Sequence, residues 1–175
     1  MSTPKFSAAI AILAVGFAVG AAAQEGPGLG EPISESDLAP WDISIETDGT
    51  GLPPGSGTVA EGEAVYATHC AVCHGENGEG QPNDALVGGH GTLTELQQVR
   101  TLGSFWPYAS TVFDYIRRAM PFPTPQSLSD DEIYAVTAYL LNQNGIIDRD
   151  DVMDANTLAD IEMPNADGFI LSYPD

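Results

Sequence analysis

Positive charge is almost missing from this sequence. One lysine (Lys5) and four arginines (Arg100, Arg117, Arg118 and Arg149) stand against 25 acidic residues, a formal charge of −20. Such a surface repels nucleic acid and anionic lipid, and at low salt it steers association toward a basic partner. It also serves solubility, so charge by itself names no partner. Cysteine is equally scarce. The two residues present, Cys70 and Cys73, are too few for a disulfide framework or a four-cysteine zinc site. After residue 23 no apolar run is long enough to cross a bilayer. No nucleophile–base pair, second metal set or internal repeat is visible.

What is present concentrates around those two cysteines. Cys70-Ala71-Val72-Cys73-His74 is the attachment signature of a c-type haem: the cysteines form thioethers with the haem vinyl groups, and the adjacent histidine lies under the iron. A zinc half-site is the competing reading. It would need His69 and His90 to complete a tetrahedral set. The N-terminus points to the compartment in which haem is attached. Lys5 supplies a charged n-region, Phe6 to Val19 an apolar h-region, and Ala21-Ala22-Ala23 a small-x-small cleavage site. Residues 1–23 are thus expected to be a cleaved signal peptide and the protein periplasmic, rather than anchored by an uncleaved span. Cleavage would leave 152 residues carrying all 25 acids and the four arginines, a net charge of −21.

The remaining chain divides by punctuation. Residues 24–57 are rich in Gly, Pro and acids and read as an irregular N-terminal arm. Within it Trp41-Asp42-Ile43-Ser44-Ile45 reads as a short strand or pinned segment. Helical signals start at Thr58, where Thr58 and Glu61 form a capping box for a helix that delivers the haem motif at its end. A second helix is expected over 111–119, with Val112, Ile116 and Ala119 on one face, stopped by Pro121, Pro123 and Pro125. A third begins with the Ser129/Glu132 box and a Leu128/Ile133 staple. It places Ile133, Val136, Thr137, Leu140 and Asn144 on one face and ends at Gly145. Residues 58–146 therefore read as an all-α, haem-centred domain of about three main helices, and 147–175 as an acidic C-terminal extension.

A low-spin electron carrier needs a second axial ligand, and a thioether raises the potential. The candidates are Met120, Met153, Met163, His69 and His90. Met120 ends a helix and opens the rigid run Pro121-Phe122-Pro123-Thr124-Pro125, so His74 and Met120 are the expected iron ligands, with His90 as competitor. The His74 ring needs an acceptor for its Nδ1–H. In c-type cytochromes a carbonyl in a Pro-x-Leu-x-Gly stretch commonly serves. Here that stretch is Asp84-Ala85-Leu86-Val87-Gly88, with Asp in place of Pro, which leaves open which carbonyl acts. Trp106, Tyr108 and Arg100 are candidates to hydrogen-bond or neutralise the haem propionates, against plain core packing of the aromatics. Arg117 and Arg118 face a propionate, a partner or solvent.

Several longer blocks carry a resemblance. They include Ala39-Pro40-Trp41-Asp42-Ile43, the run from Gly51 to Gly57, Gly103-Ser104-Phe105-Trp106-Pro107-Tyr108-Ala109 and the run from Asp114 to Phe122. The runs from Gln126 to Glu132 and from Met163 to Phe169 belong to the same set. In these the chain resembles the class I cytochrome c domain in the haem subunit of sulfane dehydrogenase (the Sox sulfur-oxidation system) and related sulfite dehydrogenase cytochromes, over about residues 30–171. Asp84 departs from the family's loop proline, and there is room for one haem, whereas some members carry two. The resemblance implies a class I cytochrome c fold with one covalent haem c. It also implies a molybdenum-containing dehydrogenase partner that performs the sulfur chemistry, and transfer of electrons onward to another cytochrome or an oxidase.

Three functions remain open at this level: an electron-acceptor subunit of such a dehydrogenase, a free periplasmic electron shuttle, and a haem peroxidase-like enzyme with an open distal site. The first predicts that the arms are anchored by Trp41 and Phe169, against the haem domain or a partner.

Overall fold

A computed structural model of the chain describes residues 29–170 and 172. The expected signal peptide lies outside the described residues. The short helix α1 (Glu35–Leu38) is closed by a capping box between Ser34 and Asp37. Of the two expectations for 41–45, a short strand or a pinned segment, the strand does not form. Its carbonyls are not offered to a neighbouring strand; the Arg118 guanidinium donates to the Ile43 carbonyl at 3.0 Å instead. The Ser110 hydroxyl holds the Thr47 carbonyl in the same way at 2.9 Å. Side chains of a later helix thus fix the arm, which is why no backbone pattern announced it. Trp41 is 82% exposed among the described residues, so of its two expected anchorages the one on the haem domain does not form.

Strand β1 (Ser56–Thr58) leads directly into α2 (Val59–His69), whose first turn is closed by the Thr58/Glu61 box. The one-turn helix α3 (Ala71–His74) follows, then a 3-10 turn at Thr92–Thr94 within a long loop. Helix α4 (Ala109–Ala119) starts two residues earlier than expected, and α5 (Asp130–Gln143) opens with the Ser129/Glu132 box. Strand β2 (Val152–Asp154) pairs antiparallel with β1, Gly57 opposite Met153, and Asp154 caps α6 (Ala155–Ala159). The mostly helical molecule therefore carries one small two-stranded sheet, which ties the start of α2 to the C-terminal segment. Neither strand is legible in sequence, since three residues are too few for an alternating pattern.

Helix α5 is the hub. Every residue from Ile133 to Leu141 is buried, not one face only, because α2, α4 and the sheet surround it. Burying side chains such as Ile133 and Leu141 contributes about 1.5–3 kcal/mol each, as an upper figure. Helix α2 crosses α5 at Gly62, where a Cβ would overlap the Ala135 carbonyl; only glycine permits that backbone approach. One turn on, the Tyr66 ring meets the Tyr139 ring at 5.1 Å. Helix α4 meets α5 through Phe113 and Tyr134, with ring centroids 4.4 Å apart. The C-terminal segment packs on the loop before α4: the Asn165 amide donates to the Phe105 carbonyl at 2.8 Å and Phe169 lies edge-on to Phe105 at 5.3 Å. No helix among the described residues is long and apolar enough to cross a membrane.

Candidate haem site

The attachment motif is positioned by the end of α2. Cys70 is the C-cap, its N–H bonded to the Tyr66 carbonyl at 2.9 Å. The Cys70 carbonyl in turn accepts from the amides of Cys73 and His74, each at 3.0 Å, which winds the motif into α3. Gly75, at φ +86°, breaks the turn. Beneath it the Tyr66 hydroxyl donates to the Gly75 carbonyl at 2.8 Å, and burial pushes its phenol up to about 12. Burial, with the neighbouring Cys73, also pushes the Cys70 thiol up to about 11. No group of three His, Cys, Asp or Glu that could hold a metal ion forms among the described residues.

The His74 ring is oriented by its loop. Its Nδ1 lies 2.8 Å from the Asp84 carbonyl oxygen. A carbonyl only accepts, so Nδ1 carries the proton and Nε2 keeps a bare lone pair for a metal. The acceptor that sequence left open is thus the backbone of Asp84, the residue standing where proline is expected. A carbonyl serves regardless of its side chain. Bonds from Gly80 N–H to the His74 carbonyl and from Asn83 N–H to the Cys73 carbonyl, both 2.8 Å, wrap this loop around the motif.

Cys70, Cys73 and His74 open on a cleft of about 680 Å³. Met120 lines the same cleft, presented where α4 ends: its N–H still bonds the Ile116 carbonyl at 3.1 Å, while its ψ of 146° sends the chain into Pro121. Val112, Ile116, Val136 and Leu140, from α4 and α5, supply apolar lining, and Arg100 and Trp106 also border the cleft. The volume lies within the range of cofactor pockets, about 300–1,000 Å³. A bare imidazole nitrogen, a thioether and two thiols around an apolar cavity are a donor set that fits haem c.

The remaining candidates separate clearly. His69 borders the cleft next to Cys70, whereas His90 is exposed and does not line it. Met153 and Met163 are buried in the core away from it. Arg100 hydrogen-bonds Gln98 at 3.0 Å and lies over the Phe105 ring at 5.0 Å. Trp106 stands edge-on to Tyr115 at 5.6 Å. Tyr108 does not line the cleft; its backbone bridges Glu162. Arg117 and Arg118 do not line it either, being paired with Asp130 at 3.2 Å and Asp114 at 2.8 Å. Sequence reasoning missed the cleft residues Tyr115, Leu86 and Phe122, and it missed Asn144, whose amide bonds the His74 loop. The one available signal was a polar Asn ending an otherwise apolar helical face.

Comparison with known proteins agrees with this construction. The cytochrome c family pattern matches residues 59–144. The thiosulfate dehydrogenase of Stutzerimonas stutzeri (strain A1501) is 33% identical over 90 residues, 50% of this chain and 28% of that protein. The thiosulfate dehydrogenase of Psychrobacter arcticus (strain DSM 17307 / VKM B-2377 / 273-4) is 33% identical over 85 residues, 45% of this chain and 24% of that one. The chain thus spans about a quarter of these curated relatives. Among solved structures, the sulfane dehydrogenase SoxCD from Paracoccus pantotrophus superposes with a TM-score of 0.79 at 46% identity, covering 85% of this chain and 72% of that one. With the haem attachment motif, the apolar cleft and this likeness in hand, the chain belongs to the cytochrome c family, has the class I fold, and carries covalently bound haem c.

Proposed function

We propose that the protein is a periplasmic mono-haem cytochrome that takes up and passes on single electrons. The observation that carries this reading is one cleft bordered by both His74 and Met120, which would supply the two iron ligands. Haem c, when bound, supplies a one-electron Fe(III)/Fe(II) couple. Cys70 and Cys73 hold it through thioethers. His74 donates Nδ1–H to Asp84 and offers Nε2 to the iron, and Met120 offers its sulfur, which favours the ferrous state. The apolar lining excludes water and so limits reorganisation. Arg100 is the one arginine bordering the cleft; each of the other three is paired with a carboxylate, Arg149 with Glu63 at 2.9 Å. Arg100 and Trp106, which border the cleft, would serve the propionates.

The electrons come from a molybdenum-containing sulfane or sulfite dehydrogenase of which this chain is the electron-acceptor subunit, and they leave to another cytochrome or an oxidase. Similarity to sulfane dehydrogenase SoxCD over most of the chain supports this. So does the N-terminal arm, whose Leu29, Ile33 and Trp41 are exposed and have no place in this chain's own core. Purification of the native protein from periplasm tests the assignment. A complex containing molybdenum, whose haem is reduced when a sulfane or sulfite compound is added, is expected. A monomer whose haem stays oxidised with every such dehydrogenase, yet exchanges electrons with other cytochromes, makes it a free shuttle instead.

A further inference from the structure

The buried amide of Asn144 lies far along the chain from the attachment motif, yet it is wired to it. It is 5% exposed, sits at the C-cap of α5, and its side chain makes three hydrogen bonds, all to backbone groups. Its Nδ2 donates to the Leu86 carbonyl at 3.1 Å and to the Leu140 carbonyl at 2.9 Å, and its Oδ1 accepts from Gly88 N–H at 3.1 Å. Two of these three bonds grip the irregular loop whose Asp84 carbonyl, two residues before Leu86, receives the His74 Nδ1–H. The loop has little regular structure of its own. Helix α5, buried from Ile133 to Leu141, is therefore the rigid frame against which it is held. Gly103 closes the other side of the amide: a Cβ there would collide with Oδ1 and stand 2.7 Å from Cγ.

We infer that Asn144 is a positioning residue for the proximal ligand: through the 84–88 loop it holds the Asp84 carbonyl on the His74 ring and so sets the basicity of the iron ligand. The inference rests on the reading of His74 as axial ligand. A strong Nδ1–H···O=C bond makes the imidazole a better donor and stabilises the ferric state. Loosening the loop weakens that bond, makes the ligand less basic, and raises the midpoint potential. A purely architectural role for Asn144 would cost stability and leave the potential where it is.

The test uses the full-length holoprotein with Asn144→Leu, Gly103→Ala and, as control, Leu141→Ala, a fully buried neighbour outside the network and the cleft. Gly103→Ala displaces the amide without removing it, and it carries the experiment if Asn144→Leu fails to mature. Potentiometry and NMR of the ferrous protein report the potential and the solvent exchange of the His74 Nδ1 proton. Both network variants are expected to raise the potential and to speed that exchange about fivefold or more, the equivalent of losing one ordinary hydrogen bond. Their double variant is expected to add less than the sum. Leu141→Ala is expected to lose stability with neither readout moved. Unchanged potential and exchange in Gly103→Ala and Asn144→Leu, or an equal change in Leu141→Ala, overturns the inference. A wild-type protein with no ligated-imidazole signal overturns the axial-ligand reading instead, and is recognised before any variant is compared.

Discussion

Met120 decides between carrier and enzyme at the scale of one residue. It is the methionine that lines the cleft, while Met153 and Met163 are sealed in the core. A thioether on the second face of the iron raises the potential and blocks small ligands; an alanine there does neither. Met120→Ala is expected to lower the midpoint potential, abolish the weak long-wavelength band of methionine-ligated ferric haem, and open the iron to cyanide. Spectra and cyanide titration of the oxidised protein check all three. A wild-type protein that lacks the band and binds cyanide rapidly would return the peroxidase-like reading, because the distal position would then be open.

Helix ends carry the next level of specification. Helices α2 and α5 both begin with a hydroxyl and a glutamate that satisfy each other's orphan amides, so the start of each is set by three or four residues of local sequence. Losing the Ser129 hydroxyl is expected to cost about 1 kcal/mol, read as a shift in the denaturation midpoint of Ser129→Ala. Glu132 adds a pH dependence. The Ser129 backbone N–H, then its hydroxyl, hold the carboxyl below its ordinary value of 4.5. A depressed carboxylate contributes stability that is full above that ordinary value and is lost as pH falls through the lower folded value. Wild type is therefore expected to exceed Glu132→Gln in stability at neutral pH, and the gap to close below about pH 4.5. A gap that does not narrow as pH falls below 4.5 in denaturant titrations would assign the effect to shape rather than charge.

Charge acts at the scale of the whole molecule. With −20 overall and a single lysine, at position 5, the protein presents a negative field to any reaction partner. The Debye length is about 10 Å at 0.1 M salt, so the field reaches beyond the surface only at low ionic strength. Reduction by a cationic ruthenium ammine is expected to slow as salt is added, and reduction by anionic ferrocyanide to accelerate. Stopped-flow rates against ionic strength check this. Identical salt slopes for the two reagents would mean that the cleft mouth is locally neutral.

The sequence by itself determined the cofactor, the two helix starts with their capping boxes, and the expectation that Met120 rather than a tail methionine serves the iron. These are local properties. An attachment motif spans five residues, a capping box four, and a proline run announces itself. It also carried the class of fold, because helical periodicity around one motif leaves few architectures. Only the tertiary structure decided that α5 is buried on every side, that three-residue strands join residues 56–58 to 152–154, and that Arg117 and Arg118 are engaged by carboxylates. It likewise decided that Asp84, not a proline, presents the carbonyl to His74, and that Asn144 holds the loop behind it. The strand pairing and the His74–Asp84 bond join residues ten to ninety-eight positions apart and use backbone atoms that every residue possesses, so no side-chain pattern could have marked them in advance.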